Sequence, residues 1–387
     1  MVRTVVNVLA VAVVAGRAFA GGPVVAQDAR PYEVMAPQRQ MPALEAGGTG
    51  FFPYLESVYD GGGLTLGAGY RRFYGPRAEW DIKGLYSVRQ YKFFEVSTTS
   101  AGHEGGRVIL RGRAGWRDAP QVGFYGVGME TFEGDRANFR LQQAYAGGSV
   151  IWRATERVTA AGAVDIEDFA MREGLGDPPS IETLYSPLTA PWLGTSPAFV
   201  HSILTGAYDT RDGRGVATTG GYYGARLHSY AGAADAGSFG RLDVHALHHV
   251  PIRDRWIVSL RARLQTTLGD GAAVPYFLLP SVGSGGTLRA YAPARFRGPH
   301  TMLGTLEGRW LYREWTVDFL RSPVELEVAT FYDLGQVATT RGDLFDDLEH
   351  DVGIGVRVHW RNTTPVRVDL AKGSEGWRVV LSGVAPF

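Results

Sequence analysis

The chain has 387 residues, 39 basic and 39 acidic side chains, and no cysteine. A formal net charge of zero, with no Lys/Arg cluster interleaved with aromatics, leaves no electrostatic footprint for a nucleic-acid partner, and the absence of cysteine fits an exported protein that needs no disulfide. Aromatics make up 12% and there are 52 glycines, yet past the N-terminus no apolar run approaches the roughly 20 residues a membrane helix needs, which argues against a helical membrane protein.

Arg3, the apolar segment Val5 to Ala15 and the small-residue sites ending at Ala20 or Ala26 read as an export signal, with cleavage expected after Ala26. This divides the chain into a signal over residues 1–26, a Pro-, Gln- and Ala-rich periplasmic segment over 27–48 too small to bury a core, and a barrel over 49–387. From Phe51 onward the sequence breaks into runs of about ten residues with period-two alternation, the length and pattern of an outer-membrane strand. Leu64, Leu66, Ala68 and Tyr70 oppose Thr65 and Arg71, and Val108, Leu110, Ala114 and Trp116 oppose Arg107, Arg111 and Arg113. Trp256, Val258, Leu260, Ala262 and Leu264 oppose Arg255, Ser259, Arg261 and Arg263, while Val352, Ile354, Val356, Val358 and Trp360 oppose Asp351, Arg357 and His359. Alternation alone is compatible with a soluble sandwich or a membrane barrel.

The connections favour the barrel. Strands are expected to start near Phe51, Leu64, Ala78, Arg107, Gln121, Leu141, Arg157, Ala198, Tyr222, Phe239, Arg255, Thr301, Val324, His350, Pro365 and Gly376, sixteen in all. Tight links at 73–77, 117–120, 154–156, 251–254 and 362–364 contrast with long ones at 97–106, 172–197 and 271–300. Short periplasmic turns, longer outer loops and an even strand number are barrel properties. Trp80, Trp116, Trp152, Trp256, Trp310 and Trp360 fall beside the short links, where an interfacial girdle belongs. The expected fold is all-β: a 16-stranded antiparallel transmembrane β-barrel in the bacterial outer membrane. Its last strand sets Trp377, Val379 and Leu381 against Arg378 and Ser382 and ends on Phe387, which resembles the C-terminal signal by which such proteins are recognised for insertion.

The long loop 271–300 contains Gly285-Gly286-Thr287-Leu288-Arg289-Ala290-Tyr291 and continues through Arg295-Phe296-Arg297-Gly298. It resembles the lid loop of the BamA/TamA-type outer-membrane assembly factors (bacterial surface antigen superfamily), a Gly pair followed by Val/Leu-Arg-Gly-Phe/Tyr, with Ala290 at the usual glycine. Phe124-Tyr125-Gly126-Val127-Gly128 resembles the family's aromatic-Gly-x-Gly strand, and Asp209-Thr210-Arg211-Asp212 with Thr219-Gly220 its Asp-x-Arg-Asp turn. Leu306-Glu307-Gly308-Arg309 is similar to the Glu-x-Arg strand after the lid, and Phe331-Tyr332-Asp333-Leu334-Gly335 to the Phe-x-Asp-x-Gly strand that follows. Parity puts Glu307 and Asp333 on the lumen face. The resemblance implies a lid folded back into the lumen, with Arg289 against Asp333 and Glu307. A planar guanidinium suits that position because it makes paired, charge-assisted hydrogen bonds to carboxylates.

Other constellations are weaker. His248 and His249 point to opposite faces of one strand, so with His245 they make no metal site, and Gly283-Ser284-Gly285-Gly286 lacks the Lys-Ser/Thr and helix of a phosphate loop. No nucleophile elbow, zinc-protease motif or cofactor fingerprint is present, so neither an enzyme nor a cofactor is expected. Arg107, Arg111, Arg113, Arg255, Arg261 and Arg263 are expected to give their side of the lumen a positive field.

The family likeness implies insertion or translocation of proteins or lipids at the outer membrane. Relatives of this kind usually carry periplasmic polypeptide-transport domains, which residues 27–48 cannot hold. The expected partners are therefore outer-membrane lipid, a protein client, and a separate chain bearing such domains. The other reading is a passive channel or structural surface barrel that keeps the scaffold.

Overall fold

The computed structural model describes residues 49–387 except 55–56, 75–77, 214–215, 234–236, 318–321, 361–362 and 383–387. The export signal expected at 1–26, the segment 27–48 and Phe387 lie outside the described residues.

Sixteen strands form one antiparallel sheet in which hydrogen-bonded neighbours are also neighbours in sequence, save that Trp256–Leu268 pairs with His300–Val317 across the lid loop. They are β1 (Gly50–Tyr54), β2 (Thr65–Phe73), β3 (Glu79–Ser87), β4 (Lys92–Thr99), β5 (Val108–Phe124), β6 (Ala137–Arg153), β7 (Val158–Glu173) and β8 (Ala198–Asp209). There follow β9 (Gly220–Gly232), β10 (Phe239–Arg253), β11 (Trp256–Leu268), β14 (His300–Val317), β15 (Ser322–Ala338), β16 (Glu349–Trp360), β17 (Thr363–Gly373) and β18 (Gly376–Ser382). Two short strands inside the loop after β11, β12 (Ser281–Val282) and β13 (Phe296–Arg297), form a separate two-stranded sheet, and Arg297 also bridges to Gly128.

One side chain reports how the sheet closes. Arg295 donates at 2.6 Å to Glu375, in the link between β17 and β18, and at 2.7 Å to Thr131, in the link between β5 and β6. In a flat sheet those links would stand about ten strand spacings apart, roughly 48 Å. A sheet rolled into a barrel brings them to one guanidinium.

The two faces are inverted relative to a water-soluble protein. Leu66, Leu110, Ile166, Leu204, Leu260, Leu306 and Ile354 are exposed, whereas Arg71, Asp81, Asp165, His201, Asp243, Glu307, Glu327 and Asp369 are buried. Lipid outside makes this sensible, since moving such an aliphatic side chain out of water is worth about 1.5–3 kcal/mol.

The count of sixteen agrees with the sequence reading, but two boundaries were misplaced in ways that cancel. Arg107 and Gln121 mark one long strand, β5, rather than two; Arg117-Asp118-Ala119-Pro120 is no turn. Proline, lacking an N–H, sits at a register shift between Ala119 and Val122, where a bulge accommodates it. The unrecognised strand is β4, which occupies part of the stretch expected to be a long loop. What remains, residues 100–107, lies at the same end as the tight links 154–157 and 254–255, because successive links alternate between ends. Trp116 is correspondingly a mid-strand residue paired with Phe94, whereas Trp360 does end β16, packed against Val324 and Val358. Trp256 and Trp310 do stack at a turn end, 5.4 Å apart.

Candidate functional site

The lid leaves β11 and enters the lumen in two parts. The first, through Tyr276, Phe277 and Leu279, is apolar and packs among Phe124, Phe139, Phe169, Phe199, Tyr230 and Phe239 of the facing strands. Edge-to-face contacts of Tyr276 with Phe124 and Phe139, at 5.5 and 5.0 Å, fix that half. The second part is the β12–β13 hairpin, whose connecting tip is tied to itself by Ser284 N–H to Leu288 O at 3.1 Å and Gly283 N–H to the Thr287 hydroxyl at 2.9 Å. At Gly285 the tip runs so close to the wall that an added Cβ would lie 2.5 Å from Val380. The self-bonded tip presents Arg289 to the same stretch of wall, where Asp369 stands opposite Val380 in the sheet register.

Arg289 is 1% exposed and touches carboxylates from three strands. Its Nε lies 2.9 Å from Asp333 on β15, Nη2 lies 3.1 Å from Glu307 on β14, and Nη1 lies 3.2 Å from Asp369 on β17. The guanidinium also stacks 3.6 Å above the Phe331 ring. Burial works against its charge, but Asp333, Glu307 and Asp369 more than offset this, and the guanidinium is held above its ordinary pKa.

The carboxylates have further cations around them. Arg357 on β16 meets Glu307 at 2.6 Å and Glu327 at 2.7 Å, Arg309 donates to Glu327 at 2.9 Å, and Arg367 Nε donates to Asp369 at 2.7 Å. Backbone joins in: Gly285 O and Gly286 O accept from Arg367 and Arg261, each at 2.7 Å, and Ala290 N–H donates to Asp351 at 2.9 Å. Ala290 is absent from the positive-φ residues, so the backbone there makes no demand for the family's glycine.

Every lid position singled out in the sequence has an identifiable contact. Leu288 is fully buried beside Gly335. The Tyr291 phenol donates to Glu349 at 2.5 Å and accepts from Ser374 N–H at 3.2 Å; burial and Glu349 push it up to about 12. Arg295 binds Glu375 and Thr131, Phe296 packs 5.5 Å from Tyr291, and Gly298 N–H donates to Pro280 O at 3.0 Å.

The other motifs take up supporting positions. Residues 125–128 lie beyond the end of β5 rather than within a strand, and Gly128 N–H donates to Arg297 O of the lid at 2.8 Å. The turn 210–219 folds inward from the opposite end: Asp212 accepts from Thr218 N–H at 2.9 Å, and Ala217 O accepts from Arg309 at 2.7 Å. Burial opposes the Asp212 charge, yet the Thr218 and Thr219 hydrogen bonds hold its carboxyl below the usual range. His248 turns outward to Tyr223 at 2.7 Å and His249 inward to Ser259 at 2.7 Å.

Sequence reasoning did not assign Asp369, Asp351 or Arg357 to the lid's surroundings. Inward parity was the available signal; knowing which inward charges meet also required the register, in which Arg357 stands opposite Glu327 and Asp351 opposite Asp333.

No sequence-family model and no curated protein sequence matches the chain. Solved structures do. BamA from Haemophilus ducreyi lacking POTRA domains 1-3 is 16% identical with a TM-score of 0.63, over 86% of this chain and 69% of that one. CdiB from Escherichia coli is 13% identical with a TM-score of 0.56, over 86% of this chain and 61% of that one. CdiB from Acinetobacter baumannii is 11% identical with a TM-score of 0.50, over 84% of this chain and 57% of that one. At these identities the likeness establishes the fold. This is an outer-membrane β-barrel of the architecture shared by BamA and CdiB.

Proposed function

We propose that this barrel, built on the BamA and CdiB architecture, assists the insertion or translocation of proteins, or of lipids, at the outer membrane. The observation that carries the reading is the anchorage of Arg289 by Glu307, Asp333 and Asp369. A passive pore works through an open lumen, whereas here an inward loop is fastened by ion pairs to β14, β15 and β17 and by aromatic packing to β5–β10. In this reading Arg289 is the anchor and the three carboxylates receive it. Gly285 and Gly286 supply carbonyls to the wall, Leu288 fills the space beneath the tip, and Tyr291, Arg295, Phe296 and Gly298 hold the hairpin against β16–β18 and the 125–136 link. The proposed partners are outer-membrane lipid, a denatured protein client and a chain carrying periplasmic transport domains.

The test is reconstitution into liposomes followed by addition of a urea-unfolded small outer-membrane barrel, whose folding is read as a heat-sensitive gel shift. Faster client folding than in protein-free liposomes is the expected result. Equal rates would favour the passive-channel reading.

A further inference from the structure

Inward-facing arginines in this barrel commonly meet carboxylates. Arg113 meets Asp165 at 2.6 Å, Arg140 meets Asp118 at 2.8 Å, and Arg263 meets Asp243 at 2.7 Å. Two arginines near the lid depart from this. Among the described residues neither Arg136, just before β6, nor Arg378, on β18, has a hydrogen bond or an ion pair, and Arg136 Nε is shielded from solvent. Tyr125 is a third donor of this kind: it is 3% exposed, yet its phenol meets no acceptor among the described residues.

Tyr125 and Arg136 flank one notch, and Arg378 lies within electrostatic range of both. A methyl group on Gly123 would lie 3.5 Å from the Tyr125 ring and 3.6 Å from Arg136 Nε, so the glycine leaves a recess with the phenol on one side and the guanidinium on the other. Arg378 approaches from across the lumen, because Arg295 clamps Glu375, at the start of the last hairpin, to Thr131 in the 125–136 link. Val380, two residues on and on the same face, touches Gly285 of the lid, which points Arg378 inward as well. Burial pushes the Tyr125 phenol up, and Arg136, Arg295 and Arg378 all act on it in the opposite sense. Glu133 also lies within electrostatic range but is exposed and pairs with neither arginine.

Two fixed positive charges and a phenol O–H, with no negative charge among them, call for a ligand with several acceptor oxygens and more than one negative charge. A carboxylate has two oxygens and one charge and would leave a guanidinium uncompensated. A phosphate monoester has three terminal oxygens and roughly −1.5 to −2 charge at pH 7. We propose that Arg136, Arg378 and Tyr125 form a phosphate-binding site in the mouth of the barrel, between the 125–136 link and β18. A phosphorylated lipid headgroup and free inorganic phosphate share this chemistry.

The test uses the whole barrel and phosphorus NMR titration in two arms. One adds inorganic phosphate to protein in maltoside micelles; the other compares phosphatidylcholine nanodiscs with and without phosphatidic acid. Saturable binding in either arm is expected, and the arm that responds identifies the source. Arg136→Gln and Arg378→Gln should each weaken binding about tenfold or more. Gly123→Ala, which removes no charge, should weaken it by narrowing the notch, and it serves as the reading if a Gln variant does not fold. No saturable binding in either arm, or affinity unchanged in folded variants, overturns the proposal.

Discussion

A guanidinium directs five N–H donors within one plane, and Arg289 uses that geometry to reach β14, β15 and β17 at once. Its carboxylates depend on it unequally. Glu307 keeps Arg357 and Asp369 keeps Arg367, but among the described residues Asp333 has no second cation at ion-pair distance. Removing one partner of a buried pair costs about 3–5 kcal/mol. Arg289→Ala should therefore release the lid, seen as faster protease cutting between Tyr276 and His300, and adding Asp333→Asn should recover part of the loss. Arg289→Lys should fall between, since a point charge neither spans three carboxylates nor stacks flat on Phe331. Cutting at the wild-type rate in Arg289→Ala would show that the anchor is dispensable. At this scale the sequence motifs pointed to Arg289, Glu307 and Asp333, residues with fixed neighbours in a short pattern. Asp369 lies 80 positions from Arg289 and becomes a neighbour only through register, which alternation does not determine.

Among the elements, period-two alternation was legible because lipid and lumen select opposite residue types along each strand. Failures came where local chemistry imitates a turn. Pro120 looked like an end and is a bulge, while Lys92–Thr99 merged with the loop after it. Links at one end include 125–136, 174–197, 269–299 and 339–348, and those at the other include 154–157 and 254–255. Short turns belong to the periplasm, so we propose that the first end is outside. A cysteine replacing Leu188, which is 95% exposed in the 174–197 link, should react with a membrane-impermeant reagent on intact cells. One replacing Glu156 should react only after lysis, and the reverse pattern would invert the topology.

For the whole molecule, sixteen strands enclose a lumen wide enough for water unless something fills it. The lid occupies it asymmetrically, with aromatics against β5–β10 and ion pairs against β14–β17. The expected positive field on one side of the wall is much reduced: Arg113 and Arg263 are each paired with an aspartate, and Arg107 and Arg255 lie in links at the rim. Charge selectivity is thus a poor test of the plug, and pore size a good one. The direct measurement is single-channel conductance in planar bilayers of the intact barrel and of one whose residues 270–298 are replaced by a short Gly/Ser linker. An anchored lid predicts small, flickering currents from the intact protein and a large, steady pore from the deletion. A large, steady pore in the intact protein, with no gain on deletion, would contradict it.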